Sequence, residues 1–402
     1  MMARRSARPR RSEQLAIIIS LGAFGSLGFG LTSPILPDLA VALQVPESAI
    51  GLVQGSVALP GIVFAMVIGY LADRLGRGRV VVVSTLIFST FGVAGFWASS
   101  FWMLVGFRLL QGIGISGMLG LGIALIGDLF DGADRTRAVG YNLAGIQLLG
   151  MAGPIVSGFI ATGGIFRPFL VFGLGFPLAL WAARLAIPRH PSAPTSPLRH
   201  IRGTVADLRA RNTLADYAGV LAAALLSVSI FSGVIFTATP LFLRSELGVA
   251  VEGRGAILAV FQAGVLVAAL AFTRLGNRLG SRAATLGFSL MTLGLVLIVT
   301  APFLPQTVLG LVITGLGFGS FMSLGQEFAA GAASGAFRGL AVSMMVATMR
   351  LAQTVSPPIA SLVTDRVSSR AAFIGAAVLV ALLTVTWRPT RAAVRSRPTP
   401  DG

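Results

Sequence analysis

The chain has 402 residues, 55% hydrophobic and 11% charged, with a mean hydropathy of +0.86; a soluble chain carries about 25% charged residues, so an ordinary water-soluble domain is excluded. Its net charge of +17 comes from 31 arginines and no lysine against 14 acids. Lacking lysine it has no phosphate-binding P-loop, and lacking cysteine it has no thiolate nucleophile, disulfide or Cys-based metal site; no enzyme chemistry, cofactor or metal is expected.

Apolar runs of about twenty residues read as membrane-crossing helices. Twelve are predicted, at 15–37, 49–70, 80–100, 102–127, 138–162, 166–187, 214–241, 255–275, 283–303, 307–331, 339–363 and 370–387. They lack the period-two alternation of barrel strands, so the expected class is an all-α membrane protein. On these spans 23 arginines fall on the side of both tails, five on the other and three within spans. That asymmetry is the positive-inside signal. It places both termini in the cytoplasm and explains the basicity without a nucleic-acid partner.

A basic tail (1–14) precedes span 1, which runs to Pro37, beyond the length of a secretory h-region and without a clear cleavage site; it is read as retained. Asp38 closes it, and no acid lies between Leu15 and Pro37. The connection "GYLADRLGRGR" (69–79) joins spans 2 and 3. Gly69, Gly76 and Gly78 permit a tight turn, Asp73 suits helix N-termini, and Arg74, Arg77 and Arg79 face headgroups. A basic loop that only sets topology is the plainer alternative. Span 4 holds Arg108 and Gln111 in "RLLQGIGIS" and leads to Asp128. In span 5, "GIQLLGMAGPIVSG" sets Gly145, Gly150, Gly153 and Gly158 as small positions for close helix approach, with Pro154 bending the helix.

The Pro-, Ser- and Arg-rich linker 188–213 contains both histidines, His190 and His200, and divides a six-span bundle at 15–187 from another at 214–387, ahead of a tail at 388–402. Ile201, Val205 and Leu208 recur at helical spacing, which suggests a short helix on the membrane surface; a regulatory or partner-binding segment is the other reading. The second half echoes the first. "TRLGNRLGSR" (273–282) repeats the 2–3 connection, Pro240 answers Pro37 about two hundred residues on, and Pro357–Pro358 answer Pro154. Such internal repeats point to a transporter with its site between the halves.

Three ionisable residues lie within spans: Arg108, Glu327 and Arg350. Each costs about 2.5–3.5 kcal/mol at a helix centre, so each should face a cavity or a partner. Asp38 is a candidate partner for Arg108. Glu327 lies roughly 10 Å along the normal from Arg350 and fits either a proton or substrate role or a structural ion pair. Gln111, Asn142, Gln147, Gln262, Gln326 and Gln353 add polarity at depth, and Phe29, Met118, Phe231 and Phe236 add apolar surface. Each of the four apolar residues alone fits core packing; together, with few fixed charges and with Arg350 among the candidate cavity residues, they suit an amphiphilic, weakly polar substrate.

These motifs resemble the major facilitator superfamily over nearly the whole chain. The 2–3 connection matches its loop signature, "RLLQGIGIS" its fourth-helix signature, and 145–158 the fifth-helix signature associated with antiporters. The resemblance implies two pseudo-symmetric six-helix bundles, with helices 1, 4, 7 and 10 lining the cavity and 3, 6, 9 and 12 facing lipid. It implies a conformational latch in which Asp73 lies against the start of helix 11 and a loop arginine, Arg77, pairs with Asp128. It also implies a monomeric drug/proton antiporter of the inner membrane, working on a small-molecule substrate with protons as coupling ion and lipids around it. One departure matters: such antiporters often carry an acid within helix 1, so Glu327 or Asp38, with Arg108, has to serve the proton here. Export of a sugar or other endogenous metabolite is the alternative, and a non-transporting sensor or scaffold a remote one.

The topology is directly testable. A reporter fused after residue 402 or within 190–210 should read as cytoplasmic, and one between 43 and 48 as external. An external 190–210 would overturn both orientation and the six-plus-six division.

Overall fold

The computed structural model describes residues 11–185, 197–279, 282–334 and 337–387. His190, the start of the linker and most of both tails lie outside these residues. The first bundle comprises α1 (Arg11–Ala42), α2 (Glu47–Ser56 continued by Leu59–Leu75), α3 (Arg77–Ala94), α4 (Phe101–Leu129), α5 (Gly132–Ala161) and α6 (Arg167–Ala182). A linker helix (Pro197–Ala210) leads to the second: α7 (Leu214–Ser245), α8 (Val251–Leu279), α9 (Arg282–Val299), α10 (Leu304–Ala332), α11 (Arg338–Arg366) and α12 (Ser369–Thr386). Among the described residues, ten helical stretches are long and apolar enough to cross a membrane; α6 is shorter, and α11 is long but more polar.

Proline placement shapes the helix ends. Where the sequence predicts that span 1 stops at Pro37, α1 continues through a 3-10 turn at Ser33–Ile35 to Ala42. Pro34 and Pro37 each fall in the first turn of a new segment, where the missing N–H leaves no hydrogen bond unmade. Pro60 does the same after the break in α2 at Val57–Ala58. Pro154 and Pro357–Pro358 instead sit inside continuous helices. Between Ile230 and Ala238, α7 widens into a π-helix, and the Thr237 and Thr239 hydroxyls donate to the carbonyls of Ser232 and Val234, five residues back, at 2.8 and 3.0 Å. Such π segments concentrate at functional sites.

Each bundle has its own apolar core. Phe24, Phe88 and Phe172 anchor the first in edge-to-face contacts, and Phe261, Phe288 and Phe321 are fully buried in the second. On α12, Val378, Leu382 and Val385 point outward, as a lipid-facing helix requires. The linker helix departs from expectation. Leu208 is fully buried against the second bundle, the Asp207 carboxylate accepts the Ser334 N–H at 2.8 Å, and Thr213 Oγ1 donates to the Ala332 carbonyl at 3.2 Å. The apolar stripe that the sequence assigns to the membrane surface is thus partly spent on protein.

Among the described residues, the bundles pack closely at one end. The first segment of α2 packs on α11, where a Cβ at Gly51 would overlap the Pro357 carbonyl oxygen; α5 packs on α8, where a Cβ at Gly255 would overlap that of Pro154. Among the described residues, hydrogen bonds join the bundles at this end from Ser33 to the Phe236 carbonyl, Ser361 to the Ser48 carbonyl, Arg244 to the Pro37 carbonyl, and Arg254 to Asp38. Toward the end carrying residues 69–79 the same four helices part. Val63, Val67 and Tyr70 of α2, Tyr141 and Leu148 of α5, Val267 of α8 and Val346 of α11 stand exposed.

If this closure depends on glycine-scale approach, Gly255→Val should force the clasped end apart. The chain has no native cysteine, so Ser33→Cys, at a buried position in that seam, reports cleanly. A membrane-impermeant maleimide should label it several-fold faster in the Gly255→Val background. Equal labelling would show that the seam closes by other means.

Candidate functional site: the seam between the bundles

Arg108 is 1% exposed and sits in a cradle of acceptors. Its Nε donates to the Val53 carbonyl at 3.2 Å, Nη1 to Gln111 Oε1 at 2.5 Å, and Nη2 to the Gly28 carbonyl at 2.5 Å and Thr32 Oγ1 at 3.3 Å. Thr32 in turn donates to Gln54 Oε1 at 2.7 Å, and Gln54 Nε2 to the Phe29 carbonyl at 3.3 Å. The guanidinium thereby ties α1, α2 and α4 together. The expected Arg108–Asp38 pair does not form, because Asp38 lies ten residues beyond Gly28 on α1, about 15 Å along the helix at 1.5 Å per residue.

Asp38 has different partners. It bridges Arg254 and Arg244, the latter at 3.4 Å, while Arg244 Nη1 also donates to the Pro37 carbonyl at 2.6 Å. Both arginines belong to the second bundle, so this ion triad clasps the halves. It borders a cavity of about 500 Å³ together with Thr162 and Glu252. Sequence reasoning missed Arg254 by counting it as a loop charge. It stands in the first turn of α8, 2% exposed, with Nε and Nη1 buried and unpartnered. The available signal was Asp38 itself, a seam-level acid needing a cation that its own bundle spends elsewhere.

At the open end the expected Arg77–Asp128 pair forms, Nη1 lying 2.7 and 2.6 Å from the two carboxylate oxygens. It staples α3 to α4 within one bundle. Gly76, at φ +95°, is the single residue between α2 and α3, so the tight turn is met by the residue best able to adopt that conformation. The Arg74 guanidinium lies 4.8 Å from the Tyr70 ring centroid, and Gly69 faces open space. The Asp73 side chain lies outside what the structure describes.

Arg350 Nη1 donates to Gln353 Oε1 at 3.2 Å, and a Cβ on Gly61 of α2 would sit 3.2 Å from Arg350 Cδ and 3.4 Å from Ser116 Oγ of α4. Arg350 thus reaches the facing bundle. Among the described residues Glu327 does not pair with it: Glu327 is exposed near the C-terminal end of α10, and Arg350 turns toward α2. Of the four apolar candidates, Met118 and Phe236 are buried, and Phe29 packs with Val57 and Ala58. Only Phe231 is partly exposed, stacked on Phe318 at 5.3 Å and against Phe236 at 4.7 Å. The burial of the other three corrects the expectation that they line open space; their depth in the helix packing, unreadable from position along a span, decides it. Gln262 lies beside Gly150 at the α5–α8 contact, Gly158 meets Val251 there, and Gly145 and Gly153 meet Ile19 and Leu27 of α1. The fifth-helix stripe therefore divides between its own bundle and the opposite one.

Two helical bundles, joined at one end and parted at the other around buried polar groups, define a multi-pass membrane transporter. The family profile of the Major Facilitator Superfamily matches residues 18–253 and 220–402, and the chain belongs to that family. Its fold is similar to the crystal structure of a bacterial homologue of the human lysosomal transporter Spinster, with a TM-score of 0.78 and 16% identity over 98% of this chain and 100% of that one. It is also similar to a probable 4-methylmuconolactone transporter of Cupriavidus pinatubonensis, 32% identical over 143 residues, 35% of this chain and 33% of the relative. A class B tetracycline resistance protein of Escherichia coli is 30% identical over 167 residues, 40% of this chain and 41% of the relative. The matched segments span about a third to two-fifths of these curated relatives.

Arg77→Ala and Asp128→Ala should each lower the detergent melting temperature, and the double variant should be little worse than either. A coupling of about 1 kcal/mol is expected for a part-buried pair. Additive losses would mean that the contact contributes nothing.

Proposed function

We propose that the chain is a proton-driven exporter of amphiphilic drugs or small metabolites, acting as a monomer by alternating access in the inner membrane, with both termini cytoplasmic. The observation that carries this reading is the seam: α2, α5, α8 and α11 are clasped at one end through Asp38 and splayed at the other. With the arginine-rich loops inside, the clasped end is external and the structure is inward-facing. Rocking would break the Asp38 triad, open that end, and bring Asp73 and its loop against the start of α11. Similarity to a tetracycline resistance protein favours drug export; similarity to a methylmuconolactone transporter favours a metabolite, the second reading.

The two acids considered for the proton differ in a way that separates their roles. Asp38 is ion-paired while the outer end is closed, and protonation would remove both pairs. It therefore loses any proton before closure and cannot carry one across. It suits a gate. Glu327 makes no ion pair among the described residues and is exposed, so it can exchange a proton without opening the clasp. Glu327 is the better carrier.

Glu327→Gln should abolish pH-gradient-driven transport in proteoliposomes and substrate-induced proton release, while substrate binding stays within about twofold of wild type. Unchanged pH-driven transport would remove Glu327 from the mechanism.

A further inference from the structure

The fold treats its two mid-span arginines differently. Arg108 spends all three guanidinium nitrogens on protein acceptors. Arg350 makes one hydrogen bond among the described residues, to Gln353, and no acid pairs with it there. A guanidinium carries five N–H donors, and those left on Arg350 are not sealed in: the residue is partly exposed, and its nitrogens are not among the buried, unpartnered atoms that include Nε and Nη1 of Arg254. A cation at this depth is costly and is held by a partner or a function.

Its position supplies the rest. Arg350 is on α11, against Gly61 of α2 and close to Ser116 of α4, where the packed part of the seam gives way to the parted one. Two turns outward, Ser356 meets Ser232 of α7 at 2.8 Å, and the next residue on α7 is Phe231, the partly exposed ring stacked on Phe318. One guanidinium without a counter-ion, an amide beside it and an aromatic face on the adjoining helix match a molecule with one negative charge and an apolar body. A doubly charged phosphate would leave excess charge, since no second unneutralised arginine lies beside Arg350 among the described residues.

We infer that Arg350 binds the anionic group of the transported molecule, and that this molecule is an amphiphilic organic carboxylate. The planar guanidinium fork matches a carboxylate in two parallel hydrogen bonds, Gln353 fixes the fork's orientation, and the apolar body extends toward the Phe231 side of α7. Bound there, the ligand touches both bundles at once. The inference rests on the transport reading above and narrows its substrate class.

The test uses tritiated 1-naphthoate, 1-naphthamide and 1-naphthylmethylammonium, which share a body and differ in charge, with the full chain in nanodiscs and proteoliposomes. Naphthoate should bind at least about tenfold more tightly than the other two, the size of one charge-assisted hydrogen bond. Arg350→Gln should bring naphthoate down to the level of naphthamide and leave naphthamide unchanged, while Arg350→Lys, which keeps charge without the fork, should hold an intermediate preference. If Arg350→Gln fails to fold, the wild-type order of the three probes still decides. Preference for the amide or the ammonium, or a carboxylate preference that survives Arg350→Gln, overturns the inference; if that preferred probe is still moved by a pH gradient, the transport reading stands. If none of the three binds or moves, both fall.

Discussion

The rest of the structure depends on how closely two helix backbones can approach within the membrane. Lipid tails are as apolar as leucine, so helices there gain little from hydrophobic burial and associate through van der Waals fit and polar contacts. At the clasped end this fit is extreme. Gly51 lies against the Pro357 carbonyl and Gly255 against that of Pro154, and no other side chain has room. The prolines and glycines are partners across the seam: each proline sits inside a continuous helix, and a glycine on the facing helix makes room for its carbonyl. A contact made only of small residues is also easily separated, as a seam that must open requires.

Charge is the second constraint. With 11% of residues charged, each buried charge among the described residues needs a partner, and the kind of partner sorts the roles. Arg108 is absorbed by carbonyls and becomes a tie among three helices of one bundle. Arg77 and Asp128 satisfy each other within that bundle. Asp38, Arg244 and Arg254 satisfy one another across bundles, so their pairing energy depends on conformation. A charge neutralised within a rigid unit is structural; one neutralised across a moving seam reports the state of the machine.

Much of this was legible in the sequence, because the membrane permits few solutions. Backbone groups in lipid must be satisfied within helices, which makes twelve apolar runs into helices almost regardless of detail. The Gly76 turn followed from a motif confined to a short loop, and the Arg77–Asp128 pair from the family resemblance, which joins that loop to the end of α4. The Arg108–Asp38 pair failed because sequence proximity of two span ends ignores the rise per residue along α1. The cavity role of Met118, Phe29 and Phe236 failed because a helix presents every residue to some neighbour, and the sequence does not say which.

The sequence by itself determined that the chain spans the membrane as helices in two echoing halves, and it weighted one set of loops with arginine; hydropathy and charge counting are local sums. Tertiary structure alone decided that Arg254 turns to Asp38, that Leu208 docks on the second bundle, and that Arg350 makes one hydrogen bond among the described residues while Arg108 spends all three guanidinium nitrogens on protein acceptors. Each of these depends on which faces of distant helices meet, and helix rotation is set by packing between segments as far apart in the chain as Ser48 and Ser361 rather than by any stretch of sequence alone.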